Sequence, residues 1–211
     1  MKYKCIIFDC DGVLVDSEKI SIGTMVTMAN SIGVPLNEEN AADLFLGKSL
    51  KFCFEYIESL SDKKLPDTFE EEFRKKSFAA FKSDLKPIAG VHELINQLKV
   101  LFCVASNGPA DKIRLNLTTA KLIDKFEGNI FSAYDINSFK PDPGLYLYAA
   151  KTMGFEVQDC VVIEDSAVGV QAALAGGFAV YGFVPHGNQA HLQGLGIPLF
   201  DSMEKLIQLL Q

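Results

Sequence analysis

Cys5, Ile6, Ile7 and Phe8 form an unbroken apolar run that stops abruptly at Asp9-Cys10-Asp11-Gly12. A continuous run of this length is the pattern of a strand buried on both faces of a parallel sheet. Ligands of open α/β sheets sit beyond the carboxyl ends of such strands, so Asp9 and Asp11 would stand on a rigid edge facing a crevice. An extended backbone sends side chains two apart to the same side, and Gly12 lets the chain turn sharply behind them. Two carboxylates this close repel each other, so the arrangement calls for a cation. Asp and Gly are also ordinary turn residues, so the pair gains meaning only from partners further along.

Beyond this strand the chain changes character twice. After Ser17, a candidate N-cap, Ile22, Met25, Val26 and Ala29 recur at helical spacing until Gly33 and Pro35. Ala41, Leu44 and Phe45 mark a second helix from about Glu38, and Leu50, Phe54 and Ile57 a third. A fourth is expected from Asp67, with Glu70 completing a capping box. Glu71 and Glu72 ahead of Arg74, Lys75 and Lys76 read as a solvated, ion-paired helix face. From residue 100 onward strand and helix alternate: strands at 100–105, 130–133, 160–163 and 178–184, helices at 110–122, 143–153, 168–175 and 203–210. That alternation demands right-handed crossovers and a parallel sheet, which the opening strand must join to bury its faces. The expected fold is therefore a doubly wound, Rossmann-like α/β core, residues 1–16 and 87–211, with an inserted four-helix domain at residues 17–86.

A formal net charge of −7 with no dense Lys/Arg cluster argues against a nucleic-acid partner. No apolar run approaches a membrane span, and the N-terminus lacks the zones of a secretory signal. Five cysteines, Cys5, Cys10, Cys53, Cys103 and Cys160, lie mostly in apolar runs, as thiols do in a reducing compartment. A cytoplasmic monomer is the expectation. Cys10, flanked by two acids, is a poor nucleophile because a thiolate there would be disfavoured.

Each later strand ends in something polar. Ser106-Asn107-Gly108 offers a hydroxyl and backbone N–H groups at a helix start, a cradle for phosphate oxygens. Lys140-Pro141-Asp142-Pro143 launches a lysine from a restrained segment, and Glu164-Asp165-Ser166 places carboxylates at another strand end. Taken singly, these are a turn, a surface lysine and an N-cap. Together, Asp9, Asp11, Glu164 and Asp165 supply hard oxygen ligands suited to magnesium, while Ser106 and Lys140 would surround an anion. A carboxylate attacking phosphorus needs such cations and donors to relieve charge repulsion.

Asp9-x-Asp11-Gly12, Ser106-Asn107, Lys140-Pro-Asp-Pro and Glu164-Asp165-Ser166 with Gly169 resemble, in order, the four motifs of the haloacid dehalogenase-like hydrolases. The helical insertion resembles the cap of their β-phosphoglucomutase-like branch. The strings 106–109 and 131–136 are further similar to those of the 6-phosphogluconate phosphatase group. The resemblance implies a magnesium-dependent phosphatase acting on a small phosphate ester, with Asp9 as nucleophile and Asp11 as proton donor and acceptor. It also implies metal binding by Asp9, the Asp11 backbone carbonyl and Asp165, with Glu164 direct or through water. Ser106 and Asn107, beside Gly108, would hold phosphate oxygens, and Lys140 would neutralise phosphate and nucleophile. Hinges would fall near Asp16 and at residues 84–87, and Gly47-Lys48 would occupy a specificity loop. Mutases of the branch carry a His near the position of Ser21, and this chain has none there. A sugar phosphate mutase and a non-catalytic phospho-receiver domain remain the alternatives.

Overall fold

The computed structural model describes residues 2–45, 48–61, 63–185 and 191–211. Two compact units result, Met1–Val15 with Lys86–Gln211, and Asp16–Leu85.

Among the described residues of the first unit six parallel strands form one sheet: β1 (Cys5–Phe8), β2 (Leu101–Ser106), β3 (Ile130–Ser132), β4 (Cys160–Glu164), β5 (Ala179–Phe183) and β6 (Leu199–Phe200). Their spatial order is β3-β2-β1-β4-β5-β6, the doubly wound arrangement in which strand order reverses between β1 and β4. Register is direct across that seam, with Cys5 beside Cys160 and Phe8 beside Ile163. Every residue of β1 and β4 is buried. This is why their sequences read as continuous apolar runs rather than as alternation. Cys5, Ile7, Cys103, Ala105, Cys160 and Val162 pack with Leu145, Tyr146, Ala149, Val170 and Ala173, residues of helices α9 (Gly144–Thr152) and α10 (Ala167–Ala175). Phe8 instead meets Phe102 and Phe126 edge-on, both at 6.3 Å between ring centroids. All five cysteines are buried free thiols.

The unit is completed by α5 (Val91–Gln97), α6 (Ala110–Thr119), α7 (Ile123–Phe126), α8 (Ala133–Ile136) and α11 (Met203–Leu209). Helix α5 goes beyond the sequence reading, although Val91, Leu94 and Ile95 carry a helical stripe behind Gly90, which adopts φ +82°. Strand β6 has two residues, too few for any period to show.

The second unit contains α1 (Glu18–Ser31), α2 (Glu38–Phe45), α3 (Leu50–Ser59) and α4 (Phe69–Asp84). Its core gathers Met25, Met28, Ala29, Ala41, Ile57, Phe69 and Phe73. Phe54 stands edge-on to Phe69 and Phe73 at 5.4 and 5.6 Å. Capping departs from expectation. Ser17 precedes α1 in a helical conformation and its side chain makes no cap bond. Helix α4 starts after Thr68 rather than Asp67, so the Asp67–Glu70 box does not form. Ser49 does cap α3, its Oγ accepting from Phe52 N at 3.2 Å. Among the described residues no helix is long and apolar enough to cross a membrane.

Candidate active site

The reversal of strand order between β1 and β4 marks the place, at their carboxyl ends, where open α/β sheets take their ligands, and the chain turns there immediately. Asp9 N continues the β1–β4 pairing by donating to Ile163 O at 2.9 Å. Leu14 N and Val15 N then both donate to Cys10 O, closing a tight turn. Gly12 has φ +81°, and a methyl group placed on its Cα would overlap the Asp165 carboxylate. The glycine thus serves twice, accepting a left-handed backbone and letting the β4 terminus approach the β1 terminus.

Asp9, Lys140 and Glu164 form a buried ionic cluster. Lys140 Nζ lies 2.5 Å from Asp9 Oδ1 and 2.7 Å from Glu164 Oε1. It also sits 4.8 Å from the centroid of the Tyr146 ring. The Lys140 backbone is held from the end of β2: Asn107 Oδ1 accepts from Lys140 N at 2.9 Å, and Asn107 Nδ2 donates to Lys140 O at 3.4 Å. Burial alone would discharge the Lys140 ammonium, but Asp9 and Glu164 outweigh it and hold the ammonium well above its ordinary value. Burial likewise opposes ionisation of Glu164, yet Lys140 and its other donors hold that carboxyl below its ordinary value. Asp9 goes the other way. Burial, with Glu164 and Asp11 nearby, lifts its carboxyl to about 7 in spite of Lys140. One ammonium is too little positive charge for the acids around it.

The Glu164 carboxylate is surrounded by protein donors. Its Oε1 accepts from Lys140 Nζ and from Tyr146 Oη at 2.8 Å, and its Oε2 accepts from Ser166 N and Ser166 Oγ at 2.8 and 2.9 Å. A carboxylate offers about four acceptor sites, and all four are engaged. A methyl group at Gly169 would overlap this carboxylate, so α10 also packs it from behind. Glu164 positions Lys140. Tyr146, invisible as a site residue in the sequence because it occupies an apolar helix position, completes the same arrangement.

Asp11 is turned toward helix α6. Its Oδ2 accepts from Lys112 Nζ at 2.6 Å and its Oδ1 from Asn116 Nδ2 at 3.0 Å. Burial pulls the Lys112 ammonium down, but Asp11 prevails and raises it. Neither partner was singled out from the sequence. The signal was present: Ile113, Asn116 and Leu117 share the buried stripe of α6, and an Asn on an apolar stripe is out of place without a partner.

Ser106 is buried at the end of β2, its Oγ accepting from Gly108 N at 3.1 Å. Ser132 Oγ donates to Gly108 O at 2.7 Å and fixes the same loop. Because the Asn107 side chain is committed to the Lys140 backbone, any phosphate contact from Asn107 would come from its backbone N–H. Asp165 is half-buried, and its backbone carbonyl lies 2.8 Å from His191 Nε2. Lys48 belongs to the helical unit and is exposed, its Nζ 5.6 Å from the Phe52 centroid. Gly47 lies outside the described residues.

Among the described residues no group of three or more His, Cys, Asp or Glu side chains is arranged to hold a metal ion. Magnesium is commonly held by one or two carboxylates with several waters. The charge deficit at Asp9 and the close approach of Asp165 to Gly12 therefore fit such an ion.

The haloacid dehalogenase-like hydrolase family matches residues 6–183. A protein named 6-phosphogluconate phosphatase from Escherichia coli is 34% identical over 188 residues, covering 88% of this chain and 85% of its own. A conserved haloacid dehalogenase-like protein from Agrobacterium tumefaciens superposes with a TM-score of 0.90 at 29% identity, over 99% of this chain and 97% of its own. A family hydrolase from Deinococcus radiodurans, solved with bound phosphate and sodium, gives 0.85 at 29% identity over 99% and 95%.

Proposed function

The chain belongs to the haloacid dehalogenase-like hydrolase family and is a phosphoric monoester hydrolase, and on that footing we propose that it cleaves a small phosphorylated sugar or sugar acid through an aspartyl phosphate on Asp9. The observation that carries this reading is the placement of Asp9 at the β1 terminus, with the Lys140 ammonium at 2.5 Å and the Asp165 carboxylate brought close by Gly12.

In the first step an Asp9 carboxylate oxygen bonds to phosphorus while the ester P–O bond breaks, and Asp11 gives the departing oxygen its proton. In the second, water attacks the same phosphorus, the bond to Asp9 breaks, and Asp11 takes the water's proton. Lys140 lowers the repulsion between Asp9 and the incoming dianion. Ser106 and the backbone of Asn107 and Gly108 cradle the phosphoryl oxygens. Asp9 and Asp165, with the Asp11 carbonyl, would hold magnesium, which supplies further positive charge against the phosphoryl group when bound. That the Deinococcus relative was solved with phosphate and a cation supports a site of this kind.

Residues 1–16 and 87–211 are taken as the catalytic core and 17–86 as the cap. The name carried by the Escherichia coli relative supports a sugar acid as substrate. Lys48 is the candidate for reading a second negative charge. Lys48→Ala should raise KM for a doubly anionic ester more than for a small phosphate ester, and equal effects would remove it from that role.

The test is phosphate release from a panel of phosphorylated metabolites with magnesium, parent beside Asp9→Asn. We expect the variant to lose at least about a thousandfold in turnover, as removal of a covalent nucleophile does. A variant as fast as the parent would overturn the assignment. Isomerised sugar phosphate in place of free phosphate would turn the reading toward a mutase.

A further inference from the structure

Asp11 must present its carboxyl to two different oxygens in turn, yet its backbone follows a tight turn and its side chain is about a quarter exposed. Left alone, a short carboxyl in such a place would rotate between solvent and crevice. It is not left alone. Each of its two oxygens is held by a different residue of α6: Oδ2 by Lys112 Nζ at 2.6 Å, Oδ1 by Asn116 Nδ2 at 3.0 Å. Lys112 and Asn116 are four residues apart and so lie one above the other on a single helix face.

We propose that Lys112 and Asn116 are positioning residues that fix the orientation of the Asp11 carboxyl, and with it the transfer of a proton to the leaving oxygen. The inference rests on the reading of Asp11 as proton donor and deepens it. Two features set the pair apart from packing. Asn116 is fully buried among Ile113 and Leu117, where an apolar residue would fill the space, and its Oδ1 has no hydrogen-bond partner among the described residues. Keeping a buried amide that pairs on one side only costs stability, so its return must lie in what the other side holds. Helix α6 begins directly behind the Ser106-Asn107-Gly108 loop, which Ser132 ties down. One rigid element thereby sets both the phosphate cradle and the proton donor, the sub-ångström registration that acid catalysis needs.

Leaving-group dependence separates this role from a structural one. p-Nitrophenolate departs without a proton, whereas phenolate, of nearly the same shape, benefits from one. In Lys112→Met and Asn116→Leu we expect kcat/KM for phenyl phosphate to fall about tenfold or more and that for p-nitrophenyl phosphate by less than about threefold, a fraction of a general acid's usual contribution. Asn116→Leu also removes the unpaired buried acceptor, so its thermal midpoint should not drop below the parent's. Asp11→Ala provides the reference. If it shows the same split and neither variant does, or if both variants lose equally on the two esters, the positioning role is wrong while the reading of Asp11 stands. If Asp11→Ala itself shows no split, that reading fails and the inference with it. Adding Lys112→Met to Asp11→Ala should change nothing further, and an additive loss would likewise overturn the proposal.

Discussion

Asp9, Lys140 and Glu164 in the sheet unit and Glu70, Glu71, Glu72, Arg74, Lys75 and Lys76 in the helical unit are built from the same kinds of side chain under opposite conditions. The first three are almost withdrawn from solvent, each contact at 2.5–2.7 Å being made between side chains no more than a tenth exposed. On α4 the acids and bases face water, and Arg74 pairs with Glu70 at 2.7 Å with both side chains more than a third exposed. Bond lengths are therefore no guide to what a pair is worth. Burial decides, because removing one partner from a dry cluster leaves a charge with no solvent to fall back on.

Lys140→Met is the largest expected break in that contrast. It leaves Asp9 and Glu164 side by side with no ammonium, and the fold should lose about 3–5 kcal/mol, the usual cost of halving a buried pair. Phosphatase turnover should vanish with it. Denaturant unfolding of parent and variant checks the first, and a loss below about 1 kcal/mol would mean that water reaches the cluster after all.

Gly169→Ala probes the same cluster from behind. Its added methyl would overlap the Glu164 carboxylate, whose four hydrogen bonds leave it nowhere to move. A loss of about 1–3 kcal/mol is expected, the range for forced overpacking. A matching Gly→Ala change at Gly23, in the helical unit, should do no harm: there the new methyl would meet only the end of the Glu38 side chain at 3.5 Å, and an interior helical Gly→Ala gains about 0.5–1 kcal/mol.

The contrast also explains what could be read from the chain and what could not. β1 and β4 were legible because burial on both faces removes every polar residue until the strand ends, so Asp9 and Asp165 stand out against Cys5–Phe8 and Cys160–Ile163. The charged face of α4 was legible for the opposite reason, since solvent imposes only the four-residue spacing. Partnerships were not legible. Tyr146 reads as one more apolar position of α9, and Glu164 gives no sign of the Lys140 and Tyr146 donors that reach it. Lys112 looks like an ordinary residue of a polar helix, and Asn116, although out of place on an apolar stripe, does not name its partner, which lies about a hundred positions earlier. Capping misled at Ser17 and Asp67 because local side-chain bonds compete with the tertiary packing that sets where a helix begins.

pH offers a gentler handle on the buried side. The Asp9 carboxyl is raised from an ordinary value of about 4 to about 7, so the folded protein holds a proton there that the unfolded chain releases. The sign follows: in the presence of a chelator this group erodes stability as pH rises from about 4 to about 7. Glu164, lowered in the fold, contributes stability above its unfolded value that is lost as pH falls through its folded value. Thermal midpoints across that window should therefore fall with pH more steeply for the parent than for Asp9→Asn, and added magnesium should flatten the parent. Parallel curves would show that Asp9 is ionised throughout.

Arg74→Ala supplies the opposite limit and the smallest effect. The guanidinium reaches Glu70 through both Nε and Nη2, at 3.0 and 2.7 Å, as a model ion pair four residues apart would. Nothing in that geometry distinguishes it from the contacts of Lys140. Yet both partners keep their hydration when parted, and the pair must hold two long side chains in one arrangement, so its net worth should be about 0.3–0.5 kcal/mol and should shrink further in salt. Alanine, a better helix former than arginine, returns part of even that. A measured loss above about 1 kcal/mol, insensitive to salt, would mean that the α4 face is covered in solution. The division between a dry ionic cluster and a solvated one would then no longer separate the two units.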